Sequence, residues 1–193
     1  MCRQMQERKQ IRLKEYDYSK AGGYFITICT ASHEDVLGKI SDQGIELNET
    51  GEIAEQWWLK LENRFPNITL DYHVTMPNHI HGIIIMSEES VVGAIHELPL
   101  PRDRMDRRRM LIPKVIGYFK MNSAKHINRL RESPGFPLWQ RNYYEHVIRN
   151  EEELSRIREY ILNNPLKWDL DRENPLSRNF ILDHKQYWKK IYN

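Results

Sequence analysis

Two histidines separated by one residue, His79 and His81, are the side chains of this sequence that point most directly to metal chemistry. They open an apolar, β-branched run, which predicts a strand, and alternate side chains of a strand lie on the same face. Both imidazoles would therefore project together and could grip one divalent cation. The preceding Pro77-Asn78 turn places them at a strand start, where a ligand can reach them, although two structural histidines would fit the same pattern.

Tyr160 and Asn164 are the second candidate pair. They are four residues apart in a predicted helix, so their side chains share one face. That face borders the apolar stripe of the helix, where a tyrosine can be held by the core and still face a cleft. Simple packing of Tyr160, and a helix-end role for Asn164 just before Pro165, stay open as alternatives.

The elements that must position these residues follow from hydrophobic periodicity and turn signals. We predict strands over 24–30, 68–75, 79–86 and 138–148. One helix follows a cap at Asn48 or Thr50 and ends near Arg64, a second has Pro113 in its first turn, and a third follows a cap at Asn150. The run Ile83–Ile85 is apolar on both faces, which predicts a central position for its strand.

The predicted order is β-α-β-β-α-β-α, and its first six elements match the ferredoxin-like split βαβ arrangement. We therefore expect an α+β fold with an extra C-terminal helix that carries Tyr160. The expected organisation is a basic arm over 1–20, one domain over 21–166 and a tail over 167–193 packed on that domain. An exposed insert over 87–110 interrupts the domain, because prolines, glycine and arginines replace the periodic pattern there.

Composition narrows the class of protein. The chain has 193 residues, 40% of them hydrophobic, which is enough for a sizeable core. Its longest apolar run is Ile83–Met86, far short of a membrane span, and no secretory signal is evident. Cys2 and Cys29 cannot build a disulfide framework or a four-thiolate zinc site. These features predict a soluble, cytoplasmic protein.

Charge is distributed unevenly although the formal net charge is only +2. Residues 102–131 hold ten Lys/Arg and two Asp, whereas residues 32–64 hold three Lys/Arg and eight Asp/Glu. A polarised basic surface is typical of proteins that bind polyanions, and nucleic acid is one expected partner. Ordinary solvated helix faces would produce the same charge pattern.

Four segments together resemble the single-tyrosine HUH transposases, most closely the repeat-associated (REP-associated) tyrosine transposases. They are the Pro-Asn-His-Ile-His run that ends at His81, the LWQRNYYEHVIR run over 138–149, the EYILNNP run over 159–165 and the YDYSKAGGYFITICT run over 16–30. The likeness covers about residues 10–170. The insert is a departure from the family whose role the resemblance does not address.

The resemblance implies a mechanism. His79 and His81 would bind Mg²⁺ or Mn²⁺, Asn164 would stand where the family has a third polar ligand, and Tyr160 would be the nucleophile. The implied reaction cleaves and rejoins single-stranded DNA near hairpins through a 5′-phosphotyrosine intermediate, with a free 3′ hydroxyl and no need for ATP.

The expected DNA contacts come from the basic second helix and from the Trp-containing fourth-strand motif. Helix side chains would track phosphates, and an aromatic ring could stack on unpaired bases. The set comprises Lys114, Lys120, Lys125, Arg129, Trp139 and Arg141. For Trp139, a role as a core anchor fits the sequence equally well.

Several alternatives remain at this stage. The first is a non-cleaving DNA-hairpin-binding protein derived from such a transposase, and the second is a metal hydrolase unrelated to DNA. Tyr143 and Tyr144 are alternative nucleophiles, although a strand with bulky neighbours suits a mobile attacking group less than a helix edge does. The sequence leaves open whether the chain acts as a monomer or a homodimer. A DNA-bound form would be nucleoid-associated.

Overall fold

The computed structural model describes residues 21–87, 110–177 and 184–192. The elements in chain order are β1 (Gly22–Cys29), a 3-10 turn (Ala31–His33), β2 (Gly38–Ser41), β3 (Gly44–Leu47), α1 (Glu49–Arg64), β4 (Ile68–Thr75), β5 (His79–Met86), α2 (Leu111–Leu130), β6 (Tyr144–Ile148), α3 (Glu151–Asn163), a 3-10 segment (Pro165–Leu170) and α4 (His184–Tyr192). The predicted arm 1–20, nearly all of the predicted insert 87–110 and part of the predicted tail lie outside the described residues.

Four strands form one antiparallel sheet in the order β4-β5-β1-β6. This is the strand order of the ferredoxin-like split βαβ arrangement, so the predicted α+β fold is confirmed. β5 lies between β4 and β1, which confirms the central position expected from its apolar run. The predicted bounds of β4 and β5 agree with the observed ones.

Two predictions about strands were wrong. A short hairpin, β2–β3, separates β1 from α1 and was not predicted, because its two four-residue strands alternate weakly and carry charged side chains. Gly44 starts β3 with a φ of +105°, a conformation that favours glycine. The predicted strand 138–148 is continuous only over Tyr144–Ile148, and its earlier part makes one isolated bridge, from Trp139 to Thr30.

Both faces of the sheet are covered, and they bury different side chains. Tyr24, Ile26 and Ile28 of β1 pack with α1 and α2 on one face, whereas Phe25 packs with α3 and α4 on the other. Gly82 is required on the first face, because a Cβ there would lie 2.2 Å from Cζ2 of Trp58. The alternation of β5 sends its two histidines to the second face, the one covered by α3.

α3 begins at a well-made cap. The Asn150 side chain accepts a hydrogen bond from the Glu153 amide at 2.8 Å, as predicted, and Glu153 in turn accepts one from the Arg149 amide at 2.7 Å. Leu154, Ile157 and Ile161 form its buried stripe. This cap and stripe fix the rotation of α3, so the helix presents Tyr160 towards β5.

Within the described part of the chain, none of the helices combines the length and the apolar character that crossing a bilayer would require.

Candidate metal and tyrosine site

His79 and His81 lie side by side at the start of β5, with ring centroids 4.2 Å apart. Both are fully buried, so the expectation that they would be directly reachable at a strand start was wrong. Two aromatic side chains from the C-terminal part of the chain cover them. Trp168 stacks on His79 at 6.0 Å, and Trp188 meets His81 edge-on at 5.8 Å.

Neighbouring hydrogen bonds assign the tautomer of His79. Asn78 donates through Nδ2 to the carbonyls of His33 and Glu173, so its Oδ1 is the acceptor that faces His79 Nδ1 at 2.9 Å. His79 therefore donates from Nδ1 and keeps a lone pair on Nε2. That nitrogen is buried and has no hydrogen-bond partner among the described residues, which is typical of a nitrogen that ligates a metal ion.

His81 sits between a threonine and the tyrosine. Its Nδ1 lies 2.9 Å from the Thr27 hydroxyl, which can accept the Nδ1 proton, and its Nε2 lies 3.2 Å from the Tyr160 hydroxyl. The Phe25 ring packs 5.3 Å from the imidazole and fixes its orientation. The ligand-type nitrogens of both histidines thus belong to one small volume beside Tyr160.

Asp171 completes this cluster, and the sequence reasoning missed it. One ligand atom each from His79, His81 and Asp171 lies within 4.8 Å of the others, and all three residues are buried. The Asp171 carboxylate follows a 3-10 segment in a turn-rich region, where a single aspartate carries no spacing signal. Its only sequence clue is its position seven residues after Asn164, which becomes meaningful once the chain is known to fold back.

The electrostatics of the cluster suit a cation. Burial lowers the pKa of His79 well below its ordinary value, and the neighbouring His81 adds to that effect, so His79 is neutral at neutral pH. Burial opposes the charged form of Asp171, but the adjacent His81 and His79 imidazoles and the Asn164 amide outweigh burial and hold its pKa below the ordinary value. The result is a carboxylate with two imidazoles, which is a donor set for a divalent metal.

Tyr160 points its hydroxyl into this cluster. The hydroxyl donates to Asp171 Oδ2 at 2.9 Å and lies 3.5 Å from the hydroxyl of Tyr187. Burial raises the pKa of Tyr160 well above its ordinary value, and the negative charge of Asp171 raises it further. The surrounding protein groups therefore keep the Tyr160 phenol protonated. A cation in the cluster would favour the phenolate by offsetting its negative charge.

Asn164 lies just after α3 and reaches the cluster through Asp171. Its Nδ2 donates to Asp171 Oδ2, while its Oδ1 is buried without a hydrogen-bond partner among the described residues. This amide oxygen, on a residue that contacts Asp171, is a second unpartnered polar atom that fits a cation at this place.

A cavity of about 220 Å³ opens on the tyrosine side of the cluster. Its lining consists of Tyr160, Asn164, Lys167, Leu170, Asp171, Tyr187 and Ile191. The histidines do not line it. A ligand that enters here meets the Tyr160 hydroxyl and Asp171 first, with the exposed Lys167 at the rim.

The two alternative tyrosines lie elsewhere. Tyr143 packs against the core on the opposite face of the sheet, beneath the ammonium group of Lys120 at 5.4 Å. Tyr144 stacks on Trp188 at 4.9 Å and accepts a hydrogen bond from Tyr192 at 2.9 Å. Burial raises the pKa of Tyr144 to about 12. The Tyr160 hydroxyl, by contrast, lies 3.2 Å from His81 Nε2.

The six residues expected to bind DNA divide into two groups. Lys114, Lys125, Arg129 and Arg141 are exposed. Trp139 is 8% exposed and donates from Nε1 to Ser123, so it is a core anchor, and the expectation of base stacking was wrong.

Lys120 is also engaged within the protein. Its Nζ donates to the carbonyls of Gln140 and Asn142 at 2.9 and 2.7 Å, and burial lowers its pKa to about 8. These contacts hold Lys120 against the protein, and its contact with a DNA phosphate stays a prediction. The exposed cations of α2 lie on the face of the sheet opposite Tyr160, because α2 and α3 cover opposite faces.

Comparisons with known proteins find similar chains among both curated proteins and solved structures. A Haemophilus influenzae protein of unassigned function is 38% identical over 167 residues, which are 86% of this chain and 92% of that protein. A second Haemophilus influenzae protein, described as a candidate REP-associated tyrosine transposase, is 28% identical over 78% of this chain and 74% of its own length.

A solved structure of a REP-associated tyrosine transposase bound to a REP hairpin aligns with a TM-score of 0.47 at 21% identity, covering 81% of this chain and 74% of that one. No family model matches the chain.

Proposed function

We propose that this chain cleaves and rejoins DNA strands. The premise is that it belongs to the same family as its 38% identical Haemophilus influenzae relative and is related to the REP-associated tyrosine transposases. One observation carries the proposal. The Tyr160 hydroxyl lies 3.2 Å from His81 Nε2 and 2.9 Å from Asp171 Oδ2, inside a cluster suited to a divalent cation. A phenol beside a cation site can act as a nucleophile towards phosphorus while the cation offsets the developing charge.

In the proposed reaction, the Tyr160 oxygen attacks a DNA phosphorus atom. A new bond forms between this oxygen and phosphorus, the bond from phosphorus to the 3′ oxygen breaks, and the 3′ oxygen leaves as a hydroxyl after taking up a proton. Asp171 already accepts the hydrogen bond of the phenol, so its Oδ2 orients the hydroxyl for attack, and the phenolic proton passes to solvent. Rejoining reverses these steps with the 3′ hydroxyl of an incoming strand as the nucleophile.

His79, His81 and Asp171 are the residues proposed to hold the cation, with Asn164 Oδ1 as a further oxygen ligand. A bound Mg²⁺ or Mn²⁺ would polarise the phosphate oxygens and offset the charge of the phenolate. The unpartnered His79 Nε2 and Asn164 Oδ1 support this assignment. The Asp171 carboxylate adds a hard oxygen ligand. The cluster therefore suits Mg²⁺ or Mn²⁺ better than two imidazoles alone would.

The proposed substrate is single-stranded DNA near a hairpin. The cavity beside Tyr160 would admit the strand to be cut, and Lys167 at its rim would pair with a phosphate. Lys114, Lys125 and Arg129 on α2 would contact DNA at a distance from the cleaved bond, because they lie across the sheet from Tyr160.

The test is covalent capture of DNA. Full-length protein would be incubated with Mn²⁺ and a hairpin oligonucleotide with a single-stranded flank, labelled at its 3′ end, and resolved by denaturing electrophoresis. The wild-type protein should give a protein–DNA band that carries the label, because the protein keeps the 5′ phosphate. Tyr160→Phe should give no such band and should still shift the DNA on a native gel.

Tyr187→Phe is the matched control, because it removes a hydroxyl 3.5 Å from that of Tyr160 without touching the proposed nucleophile. This variant should retain the covalent band. A band that persists in Tyr160→Phe and is lost in Tyr187→Phe or Tyr144→Phe would reassign the nucleophile. Tight binding by the wild-type protein with no covalent band on any hairpin would favour the non-cleaving DNA-hairpin-binding alternative.

A further inference from the structure

A second group of metal-type ligands lies next to the first and has no part in the proposed reaction. Cys29, His33 and Glu173 each offer one ligand atom, and these atoms lie within 4.8 Å of one another. They come from three separate parts of the chain: the end of β1, the 3-10 turn after it and the segment that follows Asp171. We propose that these three side chains form a binding site for a soft divalent cation of the zinc type.

The spacing of the ligand atoms fits a tetrahedral ion. Bond lengths of 2.0–2.3 Å in a tetrahedron place neighbouring ligand atoms roughly 3.3–3.7 Å apart. Cys29 Sγ lies 3.4 Å from Glu173 Oε2, and His33 Nδ1 lies 3.6 Å from the same oxygen. Little movement is therefore needed to bring the three ligand atoms onto one ion.

Second contacts orient the ligands. Gln140 donates from its side-chain nitrogen to His33 Nε2 at 2.9 Å, so the neutral His33 ring carries its proton on Nδ1, towards Glu173. Binding of a cation at Nδ1 would move this proton to Nε2, where the oxygen of a rotated Gln140 amide would accept it. Glu173 is 3% exposed and pairs with Arg172 at 2.9 Å. His33 itself has a φ of +55°, a conformation that is uncommon for a residue other than glycine and that directs its ring to this place.

The ligand types indicate which cation would bind. A thiolate prefers zinc and similar soft ions, whereas Mg²⁺ and Mn²⁺ prefer oxygen. In the metal-free protein, burial and the adjacent Glu173 raise the pKa of the Cys29 thiol, which donates to the Glu173 carboxylate. Binding would replace this S–H bond by a sulfur–metal bond and release the proton to solvent.

The site shares a residue with the tyrosine site. Asn78 accepts from His79 through Oδ1 and donates through Nδ2 to the carbonyls of His33 and Glu173. Glu173 is also two residues from Asp171, and Cys29 pairs with His79 across the sheet. An ion held by Cys29, His33 and Glu173 would therefore tie the segment carrying Asp171 to β1.

Cobalt substitution tests the proposal without reference to activity. Full-length protein would first be reduced and treated with a chelator. It would then be titrated with Co²⁺ while the near-ultraviolet absorption of the thiolate-to-cobalt charge-transfer band is recorded. The wild-type protein should develop this absorption with one equivalent of cobalt, and added Zn²⁺ should abolish it. Cys29→Ser should lose the absorption, and Glu173→Gln should weaken cobalt binding at least about tenfold.

Cys2→Ser is the control, because it removes the other cysteine of the chain and should keep the absorption. Its absence in the folded wild-type protein, its persistence in Cys29→Ser or its loss in Cys2→Ser would each overturn the site. The results for the wild-type protein and for Cys2→Ser need no change at Cys29. The test therefore holds even if Cys29→Ser does not fold.

Discussion

At the scale of single residues, the site is a set of buried polar groups whose hydrogen bonds are incomplete. Burying a polar atom without a partner costs about 1–3 kcal/mol, so such atoms are rare unless a ligand satisfies them. His79 Nε2 and Asn164 Oδ1 are both in this position, beside the Asp171 carboxylate. The same atoms that destabilise the metal-free fold are the ones proposed to bind the cation.

Asp171 provides the residue-scale prediction. We expect Asp171→Asn to weaken Mn²⁺ binding at least about tenfold, because the amide has nearly the same shape but lacks the negative charge. Binding can be measured from the electron paramagnetic resonance signal of free Mn²⁺ in the absence of DNA. Asp169→Asn, an exposed carboxylate on the same segment, should leave the affinity unchanged. Equal affinities in the two variants would remove Asp171 from the site.

At the scale of elements, β5 is the strand on which the site depends. It pairs with β1 and β4, and Gly82 lets Trp58 of α1 lie against its face opposite the histidines. α3 brings Tyr160 to the other face through its capped start and buried stripe. The relative position of His81 and Tyr160 is thus set by how β5 and α3 pack, with core residues on both sides of the sheet.

Gly82→Ala tests this packing. The added Cβ would overlap Trp58, so we expect the free energy of unfolding to fall by about 1–3 kcal/mol, measured by urea denaturation. Gly117→Ala in α2 is the matched control, since its Cβ would meet open space, and it should stabilise the protein by about 0.5–1 kcal/mol. An unchanged free energy of unfolding in Gly82→Ala would mean that Trp58 can shift without cost.

The exposed face of α2 gives a prediction about DNA binding. Lys125→Gln should weaken binding of a hairpin oligonucleotide and reduce the slope of log affinity against log salt by about 0.7–0.9, the value for one lost phosphate contact. Lys39→Gln is a suitable control, because Lys39 is exposed on the β2–β3 hairpin and pairs with Glu46 at 3.0 Å. The slope can be measured by fluorescence anisotropy over a salt series. Identical slopes in both variants and the wild type would exclude Lys125 from the DNA contact.

At the scale of the whole molecule, several histidines are built into the fold in their neutral form. Burial lowers the pKa values of His73 and His146 below the ordinary value, even though each faces a carboxylate, Glu55 at 3.6 Å and Glu153 at 2.8 Å. The unfolded chain takes up protons near the ordinary histidine pKa of about 6.5, while the folded chain resists protonation. Stability is therefore full above that pH and declines as the pH falls below it.

We expect the free energy of unfolding, measured in urea with a chelator present, to decrease from pH 7.5 to pH 5.5. Each such histidine can contribute up to about 1.4 kcal/mol per pH unit in this window. His146→Gln should make the decrease smaller, because it removes one of the histidines whose pKa burial lowers. A decrease of the same size in His146→Gln would show that folding does not oppose protonation of His146.

The sequence by itself was enough to predict most of the helices and strands. It was also enough to select the two candidate pairs, His79 with His81 and Tyr160 with Asn164. The bounds of β4 and β5 and the cap at Asn150 follow from local patterns, because periodicity, turns and caps are properties of neighbouring residues. For the same reason, the spacing of His79 and His81 was enough to place both on one face. The β2–β3 hairpin was missed, since four-residue strands with charged side chains give little local signal.

Only the tertiary structure decided which distant residues meet. Asp171 joins the histidines because the chain after α3 folds back over β5, and no periodicity relates positions 79 and 171. Trp139 proved to be a core anchor because its indole nitrogen meets Ser123 of α2, again a contact between distant segments. Burial and long-range hydrogen bonds depend on the packing of the whole chain, so they cannot be derived from the order of residues within any one element.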